Sequence, residues 1–323
     1  MTAVQGIKWT ARALMAFSIS ACTQTSLAPV DPVLKPLARP DRPAPVAPTP
    51  TVARPTSEAS AALRSYLNQV QTAQLGQGLL RRDGGGEDTP FTSTMLARNF
   101  EQVAFFNEYD SNFSGRGGAS PLRRWQAPVR MEVIFGAGVQ PSQQRSDAAN
   151  IQSYASRLAR VTRHPISVGD NPNFIVIVAG EDDRADALAT AAARVPGISA
   201  SSLGPLVDLR RDAYCVVAAY SGGSGPNVYT AAVAVIRAEN PSLLRLSCIH
   251  EELAQGLGLA NDSPGARPSI FNDDDEFALL TRHDELLLKM LYDPRLKPGQ
   301  TADEARTTVQ QIANELVGDS GPV

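Results

Sequence analysis

The residues with the most chemistry per unit length lie in CIHEELAQGLGLANDS, residues 248–263. Placed at ~100° per residue on a helix, Cys248, Glu251, Glu252, Gln255 and Leu259 share one face. Leu246, Ile249, Leu253 and Leu257 form the opposite, core-seeking stripe, with His250 beside them. Gly258 permits the chain to reverse, so that Asn261 and Asp262 can return towards the polar face. Carboxylate and amide oxygens are hard donors of the kind Ca²⁺, Mg²⁺ or Mn²⁺ prefer, whereas zinc favours imidazole nitrogen and thiolate sulfur. Two carboxylates in one cleft also push their pKa values apart, which suits Glu252 to general-base work beside Glu251. The alternative is structural: Gln255 hydrogen-bonds to Glu251 or Glu252, Asn261 and Asp262 cap the helix end, and the surface binds rather than reacts. His250 points away from this cluster and reads as a packed, hydrogen-bonded core residue.

The flanking segments must position that helix. Hydrophobic patterning predicts helices over 57–75, 93–109, 147–162, 181–195, 242–259 and 301–316. It predicts strands over 129–137, 173–180, 213–220 and 228–238. Leu96, Phe100, Val103 and Phe106 recur at helical spacing and are core candidates. Ala305, Val309, Ile312 and Leu316 give the last helix an apolar stripe. Alternating strands and helices imply an α/β fold: a mixed, mostly parallel sheet with helices packed on it. The short SGGSGPN turn, 221–227, makes one pair antiparallel.

The chain has 323 residues and a formal net charge of −3. Its cations are scattered rather than striped, which argues against nucleic-acid binding. At the start, Lys8 and Arg12 precede the apolar run ALMAFSISA (13–21) and then Cys22. This is the pattern of an export signal, too short to span a bilayer as a stable helix. It resembles a bacterial lipoprotein signal, which implies cleavage after Ala21 and a lipid on Cys22. Thr23, not being Asp, points to the outer membrane, so the membrane is a partner through the anchor. Residues 28–55 carry nine prolines and few large apolar groups, so 22–56 reads as an extended, disordered spacer. One domain over 57–323 follows. With Cys22 acylated, Cys215 and Cys248 remain, and in an oxidising compartment they either close a disulfide or stay as two buried thiols.

Other motifs carry less. NDDDE, 272–276, lacks EF-hand spacing and reads as a solvated helix start. His283 reads as a surface residue in a helix's first turn, and His164 as a charge suited to a helix C-terminus. GRGG, 115–118, lacks the strand–turn–helix setting of a nucleotide loop.

Shifted by one residue from the HExxH frame, which fails at Ala254, the stretch EELAQGLGLAND resembles the metzincin signature HExxHxxGxxH. The resemblance places Glu251, Gln255 and Asn261 at the ligand positions, Glu252 at the base and Gly258 at the turn. Phe271 in SIFND stands where the methionine turn falls, and LLTRHDELLLKMLYDP (279–294) is similar to the capped helix that closes such domains. It implies a zincin-like fold whose imidazoles are replaced by oxygen donors, and hence a divalent metal other than zinc or none. NFEQVAFFNEY, RRWQAPVRMEVIFG, IRAENPSLLRLSCIHEELAQGLGLANDS, SIFNDDDEFALLT and LYDPRLKPG together resemble the bacterial family of unknown function numbered 2927. That family implies export and carries no activity. The expected role is a binding or scaffold module for a peptide or cell-wall ligand at the envelope, with a metal-assisted hydrolase using Glu252 as the alternative.

Overall fold

The computed structural model describes residues 56–109, 117–223, 225–272 and 274–318. The export segment, Cys22 and all of the spacer but Thr56 lie outside them. Six strands form one sheet: β1 (Arg124–Trp125), β2 (Val129–Phe135), β3 (Ile166–Val168), β4 (Phe174–Ala179), β5 (Cys215–Ser221) and β6 (Val228–Arg237). Their order is β1-β6-β4-β2-β3, with β5 on β6. All pairings are parallel except β5–β6, which is antiparallel as the short turn requires.

Strand β4, FIVIVA, is buried along its whole length, as a strand covered on both faces must be. Period-two alternation sends Phe174, Val176 and Val178 into one core and Ile175, Ile177 and Ala179 into another. The second core is closed by α4 (Arg184–Arg194) through Ala187, Leu188 and Ala191. On the first face lie α2 (Ser93–Ala104), α3 (Pro141–Thr162), α5 (Ser242–Gln255), α6 (Arg282–Leu291) and α7 (Ala302–Val317). Helix α1 (Glu58–Gly76) starts at Ser57, whose side chain accepts the Ser60 amide, and packs Leu63 and Leu67 on Leu244. Helix α7 buries Ala305, Val309 and Ile312 as its stripe requires. No helix among the described residues is long and apolar enough to cross a membrane.

Several expectations need correction. The helix predicted over 93–109 stops at Ala104, and Phe106 pairs with Ala119 in a short hairpin instead. The helix predicted to 259 stops at Gln255, where Gly256 leads into a turn. Leu246 is only half-buried, and Leu244 is the buried residue of that turn. Residues 272–276 start no helix: Asp275 accepts the Gln74 amide, and Glu276 pairs with Arg81 and Arg267. His283 is in a first turn but fully buried, 3.1 Å from the Asn99 amide nitrogen and edge-on to Phe91. His164 does not serve as a helix-end charge. Its Nε2 lies 2.9 Å from the Ala127 carbonyl, and burial lowers its pKa.

Candidate functional site

Helix α5 is pinned along its core face before it presents anything on the other. Arg245 forms a buried ion pair with Asp147 of α3, Nε to Oδ2 2.8 Å. Tyr154 of α3 stacks on His250 with centroids 4.0 Å apart and donates its hydroxyl to the His250 carbonyl at 2.8 Å. The Leu280 amide donates to His250 Nδ1 at 3.0 Å, so that nitrogen is an acceptor and the ring is neutral. Burial, helped by Arg157, pushes the His250 pKa down to about 3. His250 is the satisfied core residue that its position on the helix implies.

Beyond Gln255 the chain is steered by close approach. A Cβ at Gly256 would lie 2.5 Å from the Phe174 ring, and the Gly256 carbonyl accepts from Trp125 Nε1 at 2.8 Å. Gly258 has φ +128°, and a Cβ there would lie 2.3 Å from the Arg123 carbonyl. Only glycine fits that bend. Tyr292 donates its hydroxyl to the Leu257 carbonyl, which fixes the far side of the turn.

The turn brings Asp262 back to the helix, where Gln255 Nε2 donates to its Oδ1 at 3.0 Å. Asn261 goes the other way, donating to the Gln102 carbonyl at 2.9 Å and to the Asp262 carbonyl at 2.7 Å. Of the residues singled out from sequence, Glu251, Glu252, Gln255 and Asp262 therefore converge and Asn261 does not. Cys215 and Cys248 are joined as a disulfide, Cα–Cα 5.8 Å, which ties β5 to α5. The Cys215 sulfur and one oxygen each of Glu251 and Glu252 lie within 4.8 Å of one another. That sulfur is spent in the disulfide, leaving the two carboxylates as the donors at this point.

Glu252 is 4% exposed, and its Oε2 has no hydrogen-bond partner among the described residues. Its pKa is raised well above the ordinary carboxylate range, first by burial and then by Glu108 and Asp262. Glu251 is partly open to solvent yet crowded. Desolvation, then Asp262, Glu252 and Glu108, raise its pKa as well. The carboxyls of α5 thus hold protons in the folded protein at pH values where free carboxylates have lost them.

Two further participants, Glu108 and Tyr109, were missed because their segment reads as helix. The Glu108 amide donates to the Ala260 carbonyl and its carbonyl accepts from Gly117, so the hairpin crosses the turn after α5. Burial, then a hydrogen bond to Glu108, raises the Tyr109 pKa. The adjacent Phe105 and Phe106, aromatic residues that favour extended backbone, are the signal in the sequence at which the helix could have been ended.

A cleft of about 300 Å³ is lined by Glu108, Tyr109, Arg123, Tyr229, Gln255 and residues 217–220 of β5, and Gln255 links it to Asp262, which with Glu251 and Glu252 stands behind the lining. Four consecutive β5 residues line it, and side chains of a strand alternate between faces, so the cleft runs along the strand's edge. Among the described residues β5 pairs only with β6, and that edge carries unused backbone donors and acceptors. Arg123 lines the same cleft with its Nε unpartnered.

The model of the family described as Protein of unknown function (DUF2927) matches residues 93–311. The chain belongs to this family. The matched span runs from the start of α2 into α7 and includes every residue of the cleft. No curated protein and no solved structure matches the chain.

Proposed function

We propose that the chain is an exported, lipid-anchored peptide-binding module of the cell envelope. Its cleft takes an extended peptide along β5 and seats an amine or guanidinium on the carboxylates of α5. The observation that carries this reading is the unpaired β5 edge lying in one cleft with Glu108 and with Gln255, which holds Asp262 beside Glu251 and Glu252. An added strand gains affinity from main-chain hydrogen bonds, and side-chain pockets give the selectivity. Basic peptides, and cell-wall cross-bridges that bear an amine, belong to this class. Arg123 is available for a ligand carbonyl or carboxylate.

The zincin resemblance supports the reading as architecture. An antiparallel edge strand precedes the last strand and the motif helix, Gly258 makes the bend, and Phe271 is fully buried. A capping box of Thr281 and Asp284 opens α6. Among the described residues, the departure of Asn261 and the loss of Cys215 to a disulfide leave this cluster with oxygen donors rather than the nitrogen and sulfur that zinc favours, and this favours binding over zinc hydrolysis.

The test is hydrogen exchange on the full chain with a lysine-containing extended peptide. Slowed exchange of β5 amides, lost in Glu252→Gln/Glu251→Gln, is expected. Unchanged β5 exchange at saturating peptide overturns the proposal. Export and anchoring are tested separately: labelling with a fatty acid should mark wild type and not Cys22→Ser.

A second reading rests on the unpartnered Oε2 of Glu252. In its ionised form, Glu252 next to Glu251 would take a proton from water, alone or beside a hard divalent cation held by the two carboxylates. Peptide or cross-bridge hydrolysis that disappears in Glu252→Gln would select this reading.

A further inference from the structure

A second concave surface, remote in character from the acidic cleft, opens where β1, the C-terminal ends of α3 and α6, and α7 meet. It encloses about 980 Å³. Its lining includes Trp125 and Ile312, which are almost wholly buried, and Tyr292 beside them. Around it stand Arg160, Arg163, Lys289, Arg295 and Lys297, all exposed. The chain has four lysines, and the two among the described residues are both here.

Most of this charge is uncommitted. Arg295 is held by Asp293 and Glu315, which are the acids of the groove, so those three together leave one negative charge. Arg124 is used internally, donating to the Leu296 carbonyl at 2.9 Å and also to the Leu291 carbonyl. Arg160, Arg163, Lys289 and Lys297 have no ion-pair partner among the described residues.

The competing explanation is that the cations only complement two helix ends. Each helix C-terminus is worth about half a negative charge. Two such ends and the one surplus acid charge answer about two of the four positive charges and leave about two unanswered, in a protein whose net charge is negative. A concave, positively lined surface with an apolar floor concentrates anions, and guanidinium groups match phosphate oxygens in a fork geometry.

We propose that this groove binds a ligand carrying two or more phosphate groups, its uncharged part resting on Trp125 and Tyr292. The same chemistry is offered by a soluble polyphosphorylated compound and by the headgroups of an anionic phospholipid surface. The experiment distinguishes them.

Full-length chain is titrated with inorganic tripolyphosphate by calorimetry at low and moderate salt. In parallel it is floated with phosphatidylglycerol or phosphatidylcholine vesicles. Lys289→Glu/Lys297→Glu is compared with Arg82→Glu/Arg98→Glu, which makes the same charge change at exposed positions outside the groove. Wild type should bind tripolyphosphate with an affinity that weakens with salt. The groove variant should bind at least tenfold more weakly, and the control variant within twofold of wild type. Groove-dependent binding confined to tripolyphosphate identifies a soluble ligand. A groove-dependent preference for phosphatidylglycerol over phosphatidylcholine vesicles identifies the membrane surface. The proposal is overturned if wild type binds neither, or if both variants lose binding equally.

Discussion

His250 and Glu252 stand two positions apart on α5, and their surroundings differ in one respect that matters. Every group around His250 completes it: Tyr154 stacks on the ring, and the Leu280 amide fills Nδ1. The carboxyl of Glu252 is opposed instead: burial, Glu108 and Asp262 disfavour its charge, and Oε2 receives no donor among the described residues. One face of the helix lowers the free energy of the fold, and the other raises it. A buried, unpartnered carboxylate costs stability. Protein groups complete the first face, and the second is arranged for a group that the chain does not itself supply.

The contrast has a sign that pH can read. His250 has a folded pKa depressed from 6.5 to about 3, so the unfolded chain binds the extra proton and stability falls as pH drops through that window. Glu251 and Glu252 have folded pKa values raised above 4.5, so the folded chain binds the extra protons. Stability is then lost as pH rises past 4.5 towards those values. Denaturant midpoints against pH should therefore trace a dome with its crest in mildly acid solution.

The largest effect is expected from His250→Ala. It orphans the Leu280 amide, removes the ring stack, and should cost about 2–4 kcal/mol. The acid limb of the dome should flatten while the alkaline limb stays. If the acid limb survives, His250 is not what sets it. Next comes Glu252→Gln, which removes the cost of keeping a buried carboxyl protonated above its ordinary pKa and should stabilise the fold by about 1–3 kcal/mol at neutral pH. It should flatten the alkaline limb and abolish ligand binding. A destabilised variant would mean that Glu252 has a structural partner. Smallest is Asn261→Ala, a half-buried side chain whose two hydrogen bonds go to the backbone carbonyls of Gln102 and Asp262 and to no carboxylate. A loss of about 0.5–1 kcal/mol with unchanged ligand affinity is expected. Loss of affinity to match Glu252→Gln would put Asn261 back in the site.

The sequence made the polar face of α5 legible because helical periodicity alone sorts Glu251, Glu252 and Gln255 from Ile249 and Leu253. The same periodicity assigned His250 to the core. Asn261 and Asp262 could not be told apart in this way. Adjacent residues beyond a glycine bend diverge, and the bend itself is set by tertiary crowding: the Arg123 carbonyl lies 2.3 Å from where a Cβ on Gly258 would sit. Glu108 and Tyr109 were hidden for a different reason: Leu96, Phe100 and Val103 set a helical rhythm that Phe106 continues by coincidence, after the helix has ended at Ala104. The sheet followed from alternation, but the two-residue β1 and three-residue β3 are too short to carry a pattern. His283 read as surface because its burial comes from Phe91 and Asn99, distant in the chain.

The central claim is that the protons on Glu251 and Glu252 stand in for a cationic group. Calorimetric titration of a lysine-containing peptide into the full chain, at a series of pH values upward from 4.5 and in buffers of different ionisation enthalpy, measures the protons that leave on binding across the range into which the two pKa values are raised. The account predicts net release of protons, and no binding to the Glu251→Gln/Glu252→Gln variant. Binding with no proton release, or undiminished binding to that variant, would contradict it.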